Sequence, residues 1–393
     1  MVRALASNRI LDRKRISHCP PSQRTDGPRG GLSISRKAFR ECPLSGHNPF
    51  RFTDLSRYDD APGLSGAAMR RREFIKIIAG SAAALPLAAP AQQSTKSVIG
   101  FLSMASPSTF GPRIEGFRQG LRDLGYVEGM NITIEYRWAE GRYERLAGLA
   151  AELVHSKVDL IVTHGTPGSL AAKQATATIP IVVAAIGDPV VTGVVASVAR
   201  PGGNITGQTF FNPELRAKRI ELLKEVMPRL SRVAVILNVD NPAIGPEFQA
   251  METAARSLEV KLHPFRLREP SELVSAFEKM EQAHVEAVET GEDPLSVGNV
   301  GAIVALAARA RLLSIGPEDV ARAGGLIGYG VDFVATFRNA ARFVDKILKG
   351  AKPADLPIER ASKFQLIVNR KTAKALGFEL PMATLLRADE VIE

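Results

Sequence analysis

Cysteine is nearly missing from this sequence: Cys19 and Cys42 are the only two, and both fall in its first quarter. From residue 92 onward there is none. That excludes a disulfide-stapled fold, a thiol enzyme and a Cys-ligated zinc or iron–sulfur site from this stretch. A surplus of positive charge is missing from it too. The whole chain carries a net charge of +10, but residues 1–91 hold 16 basic and 7 acidic side chains, and residues 92–393 hold 35 and 34. With no surplus to neutralise phosphates, a nucleic-acid binder is not expected. Nucleotide motifs are absent as well. No GxGxxG follows the first strand pattern, the GYG at 328–330 continues into VDFV, and no GxxxxGK[ST] occurs. Ser169 stands in G-T-P-G-S, the wrong frame for a GxSxG nucleophile elbow.

Residues 1–68 are rich in Arg, Pro, Gly and Ser and read as disordered or as an extension ahead of the true start at Met69. Residues 69–91 read as an export signal. Arg70, Arg71, Arg72 and Lys76 form a basic region, residues 77–89 an apolar stretch of thirteen broken by Pro86, and Ala89-Pro90-Ala91 a small-x-small cleavage site. A membrane span needs about 20 apolar residues, so removal after Ala91 is expected, with Gln92 first in the mature chain. RREFIK resembles a twin-arginine signal. Arg70 replaces the usual Ser or Thr, which leaves general secretion open. No cysteine at the cleavage site means no acceptor for a lipid anchor.

The remainder alternates strand and helix patterns at short spacing, the signature of α/β units around parallel sheets. Strands are expected at 97–104, 131–139, 159–165, 179–186, 232–238, 260–266, 285–291, 312–316 and 326–332, and a last one ending at Asn369. Helices are expected at 113–124, 143–156, 166–176, 213–227, 246–258, 270–283, 296–311, 335–349 and, last and short, 370–378. Glu286 and Glu289 make 285–291 the weakest strand, and 201–211 reads as turns. Two similar α/β lobes result, 92–211 and 212–324, with 325–393 crossing between them.

In open α/β sheets, ligands gather at the carboxyl ends of strands. Here four such ends are closed by polar residues and proline. The first is His164-Gly165-Thr166-Pro167, with Thr166 a natural N-cap. Around residues 167–169, backbone N–H groups and the Thr166 and Ser169 hydroxyls could cradle a carboxylate; ordinary helix capping would use the same groups. Asp188-Pro189 follows the next strand, where Asp188 either caps a helix or holds a ligand ammonium. Asn238 to Pro242 and Gly291 to Pro294 repeat the arrangement in the second half. The four ends suggest facing rims of one cleft. His155, His284 and His263 read as surface residues.

From Met69 onward the chain resembles the substrate-binding proteins of ATP-driven (ABC) importers related to the tryptophan- and tyrosine-binding proteins. The resemblance is carried by FRQGLRDLGYVEGMNITIEYRWAEG, IPIVVAAIGDPVVTGVVASVARPGGNITG, LNVDNP, GGLIGYGVD and FQLIVNRKTAKALG. It implies a type I periplasmic-binding fold, two Rossmann-like lobes joined by a hinge and closing over a small molecule, an amino acid or small organic anion. It also implies a periplasmic location and ABC permease subunits as partners, with no cofactor, metal or catalytic residue. The implied ligand contacts are Ser103 and Phe110 after the first strand, and His164, Gly165, Thr166, Ser169 and Asp188 after the third and fourth. Asn238, Asn241 and Asp293 would come from the second lobe, with Tyr329 near the hinge. Only Phe110, Phe210, Phe211 and Tyr329 stand where they could clamp a ring, which argues against an aromatic ligand. A ligand sensor feeding a signalling receptor is an alternative, and an exported hydrolase using His164 with Asp188 or Asp293 another.

Overall fold

The computed structural model describes residues 96–393; the expected leader and the expected export signal with its RREFIK core fall outside the described residues. Two sheets organise the chain. The first contains β1 (Ser97–Ser103), β2 (Ile132–Trp138), β3 (Leu160–Thr163), β4 (Ile181–Ile186), β5 (Ile205–Thr209) and β11 (Glu359–Arg360), in the order β11-β5-β4-β3-β1-β2. The second contains β6 (Arg232–Asn238), β7 (Lys261–Leu267), β8 (Ala287–Thr290), β9 (Leu313–Gly316), β10 (Ile327–Val331), β12 (Phe364–Asn369) and β13 (Glu390–Ile392), in the order β13-β12-β10-β9-β8-β6-β7. Every pairing is parallel except β10 with β12. β3 and β4 are buried along their whole length, as strands with helices on both faces must be.

The helices are α1 (Pro107–Asp123), α2 (Leu146–His155), α3 (Gly165–Ala175), α4 (Asn212–Val226), α5 (Ile244–Ser257), α6 (Leu273–Gln282), α7 (Pro294–Gly298), α8 (Val300–Arg309), α9 (Glu318–Arg322), α10 (Phe333–Leu348), α11 (Arg370–Leu376) and α12 (Met382–Arg387). None is long and apolar enough to cross a membrane. α10 buries Phe333, Phe337, Ala340, Ala341 and Val344, a stripe at helical spacing, against α1 and the first sheet. The two helices approach closely because Gly116 and Gly120 of α1 lie against the carbonyls of Val334 and Arg338, where a Cβ would collide.

The chain passes between the sheets three times: after β5, after β10 and after β11. Residues 325–393 thus supply β10, β12 and β13 to the second sheet and α10 and β11 to the first. At the second and third passages Asp332 accepts from Lys363 Nζ at 2.6 Å, while the Asp332 N–H donates to the Lys363 carbonyl. At the first, Phe211 takes a left-handed φ of 45° and lies under the Arg360 guanidinium.

Several local expectations are corrected. α1 starts at Pro107, six residues early, because Ser106 and Pro107 suit an N-cap and first helical turn. Residues 205–209 form a strand although Gly207 suggested turns; Gly207 packs on the Val183 backbone. Residues 188–195 are turns and not a helix, and the helix expected over 296–311 divides at Asn299. α12 and β13 follow the last expected helix, restarted by Pro381.

Candidate functional site

The carboxyl ends of the two sheets face each other across a cavity of about 520 Å3. From the first lobe come Met104 after β1, His164 and Gly165 after β3, and Phe210 after β5; Asn238 and Glu292 come from strand ends of the second. One wall is aromatic. The His164 ring stacks on Phe110 with centroids 4.4 Å apart, Phe337 meets Phe110 edge-on at 5.2 Å, and Phe333 meets Phe210 at 5.5 Å. Phe333 and Phe337 come from α10, which follows β10 and is remote in sequence from the four polar strand ends expected to hold the ligand. Their presence corrects the expectation that too few rings remain for an aromatic ligand.

Arg113 is the cation of that wall. Its guanidinium lies 5.2 Å from the Phe110 centroid and 4.7 Å from that of Phe333, and Nη2 reaches Asp319 of the other lobe at 3.1 Å. His164 is held neutral. Burial, then the nearby Arg113 charge, bring its pKa down to about 3. Its Nε2 lies 3.0 Å from Ser103 Oγ. Such an imidazole is too weak a base at neutral pH, and neither Asp188 nor Asp293 reaches it. Asp188 instead accepts from the N–H groups of Val190 and Val191, both at 3.0 Å. The constellation of the hydrolase alternative is not assembled.

Asp293, implied as a ligand contact, has its carboxylate taken up by donors of the protein itself. Its Oδ1 accepts from Asn238 Nδ2 and from the Leu295 N–H, each at 2.9 Å; Oδ2 accepts from Asn241 Nδ2 at 3.0 Å and from Tyr143 Oη at 2.7 Å. A carboxylate has about four acceptor positions, so all are used. The two asparagines are aimed by their own Oδ1 atoms, which accept from Asp240 and Ala243 N–H groups. Tyr143 belongs to the first lobe. Burial, then the Asp293 charge, push its phenol well above its ordinary range, so it remains a donor. Asp293 is therefore the second lobe's half of a bond across the cleft.

Phe110, His164, Gly165 and Asn238 line the main cavity, and Thr166, Asn241 and Asp293 line a smaller one beside it. Four expected contacts line neither. Ser103 is fully buried behind His164, and Ser169 donates back to the Gly165 carbonyl at 2.6 Å. Asp188 is consumed by its own turn. Tyr329 stacks on Phe364 and offers its carbonyl to Arg219 Nε at 2.8 Å. The carboxylate cradle also shifts: α3 begins at Gly165, its N-cap is His164 and not Thr166, and the N–H groups without helical partners are those of Gly165 and Thr166, Pro167 having none. Gly165 needs its left-handed φ of 66°, and the Met104 side chain occupies the space a Cβ would take.

Beneath the second lobe's rim lies a buried ion cluster that the sequence reading missed. Arg216 grips Glu289 with Nε at 3.0 Å and Nη2 at 2.5 Å, and reaches Glu247 at 3.3 Å. Arg219, fully buried, pairs with Glu289 at 3.2 Å and with Glu292. The available signal was Glu289 itself: a carboxylate in an otherwise apolar parallel strand requires a buried cation. Among the described residues, no group of three or more His, Cys, Asp or Glu could hold a metal ion.

Residues 99–392 match the family described as "ABC transporter substrate binding protein". A curated relative, the tyrosine-binding protein of Clostridioides difficile (strain R20291), is 27% identical over 266 residues, which cover 67% of this chain and 76% of that one. The solved ABC domain in complex with L-Trp from Streptococcus pneumonia has a TM-score of 0.71 and 25% identity, covering 76% of this chain and 100% of that chain. A conserved domain protein from Vibrio cholerae O1 biovar El Tor has a TM-score of 0.72 at 24% identity, covering 75% and 99%.

Proposed function

The chain belongs to the ABC transporter substrate-binding protein family, and from that premise we propose which solute it captures and how its cleft holds it. It is an extracytoplasmic, non-catalytic component of an ABC importer with the type I two-lobed fold, binding a small molecule for delivery to a membrane permease. We assign the solute to compounds with an apolar ring or branched chain and a carboxylate. The observation that carries this reading is the aromatic wall of the cleft: Phe110, Phe210, Phe333 and Phe337 can enclose a ring or branched chain in a 520 Å3 space. The free N–H groups of Gly165 and Thr166, and Arg113, are the groups suited to the carboxylate. The relatives named for tyrosine and solved with L-Trp support the same class.

Closure excludes water from the cleft, which strengthens each polar contact. The bond from Tyr143 to Asp293 spans the lobes and would favour the closed form that a permease recognises. Residues 69–91 would direct export, by the twin-arginine or the general route, and cleavage would leave Gln92 first, without a lipid anchor. Nucleic acid is not a partner in this reading. Intact mass of the exported product tests the processing: a chain starting at Gln92 is expected, and one retaining residues before Met69 contradicts it. A thermal-shift screen of the exported protein against amino acids and small organic acids tests the ligand class. At saturation a true ligand should raise the melting temperature by roughly 5 °C or more; a folded protein that no compound stabilises contradicts the assignment.

A further inference from the structure

The first passage between the lobes is a single residue long. Phe210 still belongs to the first sheet, its N–H donating to the Ile186 carbonyl at 3.0 Å, and Asn212 already opens α4. Pro213 sets the first turn of that helix. The change of direction therefore falls on Phe211, which stands at φ 45° and ψ 66°. A bulky L-residue in this left-handed region is an outlier, because its Cβ crowds the following carbonyl. Among the described residues, Lys157, Glu259, His284 and Arg311 also take such a φ, but each stands just past the end of a helix, where the conformation is ordinary. Phe211 stands before one. The second passage shows that a one-residue link needs no such backbone: Asp332, between β10 and α10, has φ −65° and ψ 92°.

Three contacts hold Phe211 where it is. Its N–H donates to Thr209 Oγ1 at 3.3 Å. Its ring lies under the Arg360 guanidinium, 4.6 Å from carbon to centroid. Arg360 in turn pairs with Glu214 of α4. Arg360 belongs to β11, opposite Thr209 in the first sheet, so one guanidinium of the first lobe straps both the passage and the first turn of the second lobe's helix. The residues on either side of Phe211 line the cleft: Phe210 faces the main cavity and Asn212 the smaller one. With Tyr143 bonded to Asp293 across that cleft, the lobes are closed. Strain held at one residue between two walls of a binding site is a conformational device when closure is what imposes it.

We propose that Phe211 is a loaded hinge: its left-handed backbone belongs to the closed form, Arg360 holds it there, and its relaxation as the lobes part favours opening and release of the solute. The proposal rests on the two-lobed binding-protein reading and is independent of which solute is bound.

No cysteine occurs from residue 92 onward, so Ala151→Cys and Glu278→Cys, exposed on α2 and α6, place one spin label on each lobe of the exported protein. The distance distribution between the labels then reads the closed and open populations without any ligand. Phe211→Gly removes the ring and the strain, whereas Phe211→Ala removes the ring alone. The closed-to-open ratio should be at least about threefold higher in the glycine variant than in the alanine variant, the relief being partly offset by the freedom glycine gains on opening. Phe211→Asn, which also tolerates this conformation, should exceed the alanine variant likewise, and serves if the glycine variant does not fold. Arg360→Gln should lower the ratio below that of the parent. Equal ratios in the folded glycine or asparagine variant and the alanine variant overturn the loaded hinge, and an unchanged ratio in Arg360→Gln overturns the strap. An amino acid that binds the parent should bind Phe211→Gly tighter than Phe211→Ala, by up to the same factor. Because the distances are read without ligand, failure of the hinge leaves the ligand class standing, and failure of the ligand class leaves the hinge to be judged by the labels.

Discussion

His164 and Asp293 show how a position can be legible in sequence while its task is not. Both stand at strand ends, where the alternation of patterns points to ligand contact. Side-chain chemistry alone did not reveal that Asp293 would meet four donors or that His164 would be buried on Phe110. Those partners come from segments distant along the chain. The buried imidazole has a measurable consequence. Its pKa is about 3 when folded and near 6.5 when unfolded, so between these values the unfolded chain binds more protons and stability rises with pH. Acidifying from pH 6.5 to pH 5 should cost about 2 kcal/mol at this site. Chemical denaturation at the two pH values should show that loss in the parent and a smaller one in His164→Gln, with other titrating groups common to both proteins.

At the scale of elements, strand and helix alternation made most of both sheets readable, since buried parallel strands such as β4 are continuous apolar runs. What escaped were β5 with its glycine, the two-residue β11, and the three-residue β13, which are too short or too irregular to show a period. The helix face carrying Arg216 and Arg219 also escaped, because two arginines three apart ordinarily mark a solvated surface. Here they dock on Glu289 of β8 and fix α4 against the second sheet. Removing the carboxylate would leave two guanidinia buried with only Glu247 and Glu292. Glu289→Gln should therefore lower unfolding stability by about 3–5 kcal/mol, read by urea or thermal denaturation. A loss below 1 kcal/mol would show that the cluster relaxes easily.

Over the whole molecule, the sequence placed two α/β halves around a cleft, but the three passages between the sheets bring together residues no local pattern connects. Phe333 and Phe337 reach the site because the chain re-enters the first lobe directly after β10, and that return supplies the rings the sequence reading found wanting. Closure joins the halves through Tyr143 and Asp293. Tyr143→Phe keeps the ring and removes the bond, so ligand affinity should fall by about tenfold or more, with the ligand-free melting temperature little changed. Equal affinity in the variant would show that the cross-cleft bond does not favour the closed form. The most direct measurement of the central claim is calorimetric titration of the exported protein with the amino acid that most raises its melting temperature. One saturable site per chain, lost when Ala105→Trp fills the cleft beside Phe110 while the variant stays folded, is the result expected. A folded parent with no saturable site, or binding untouched by the filled cleft, would contradict it.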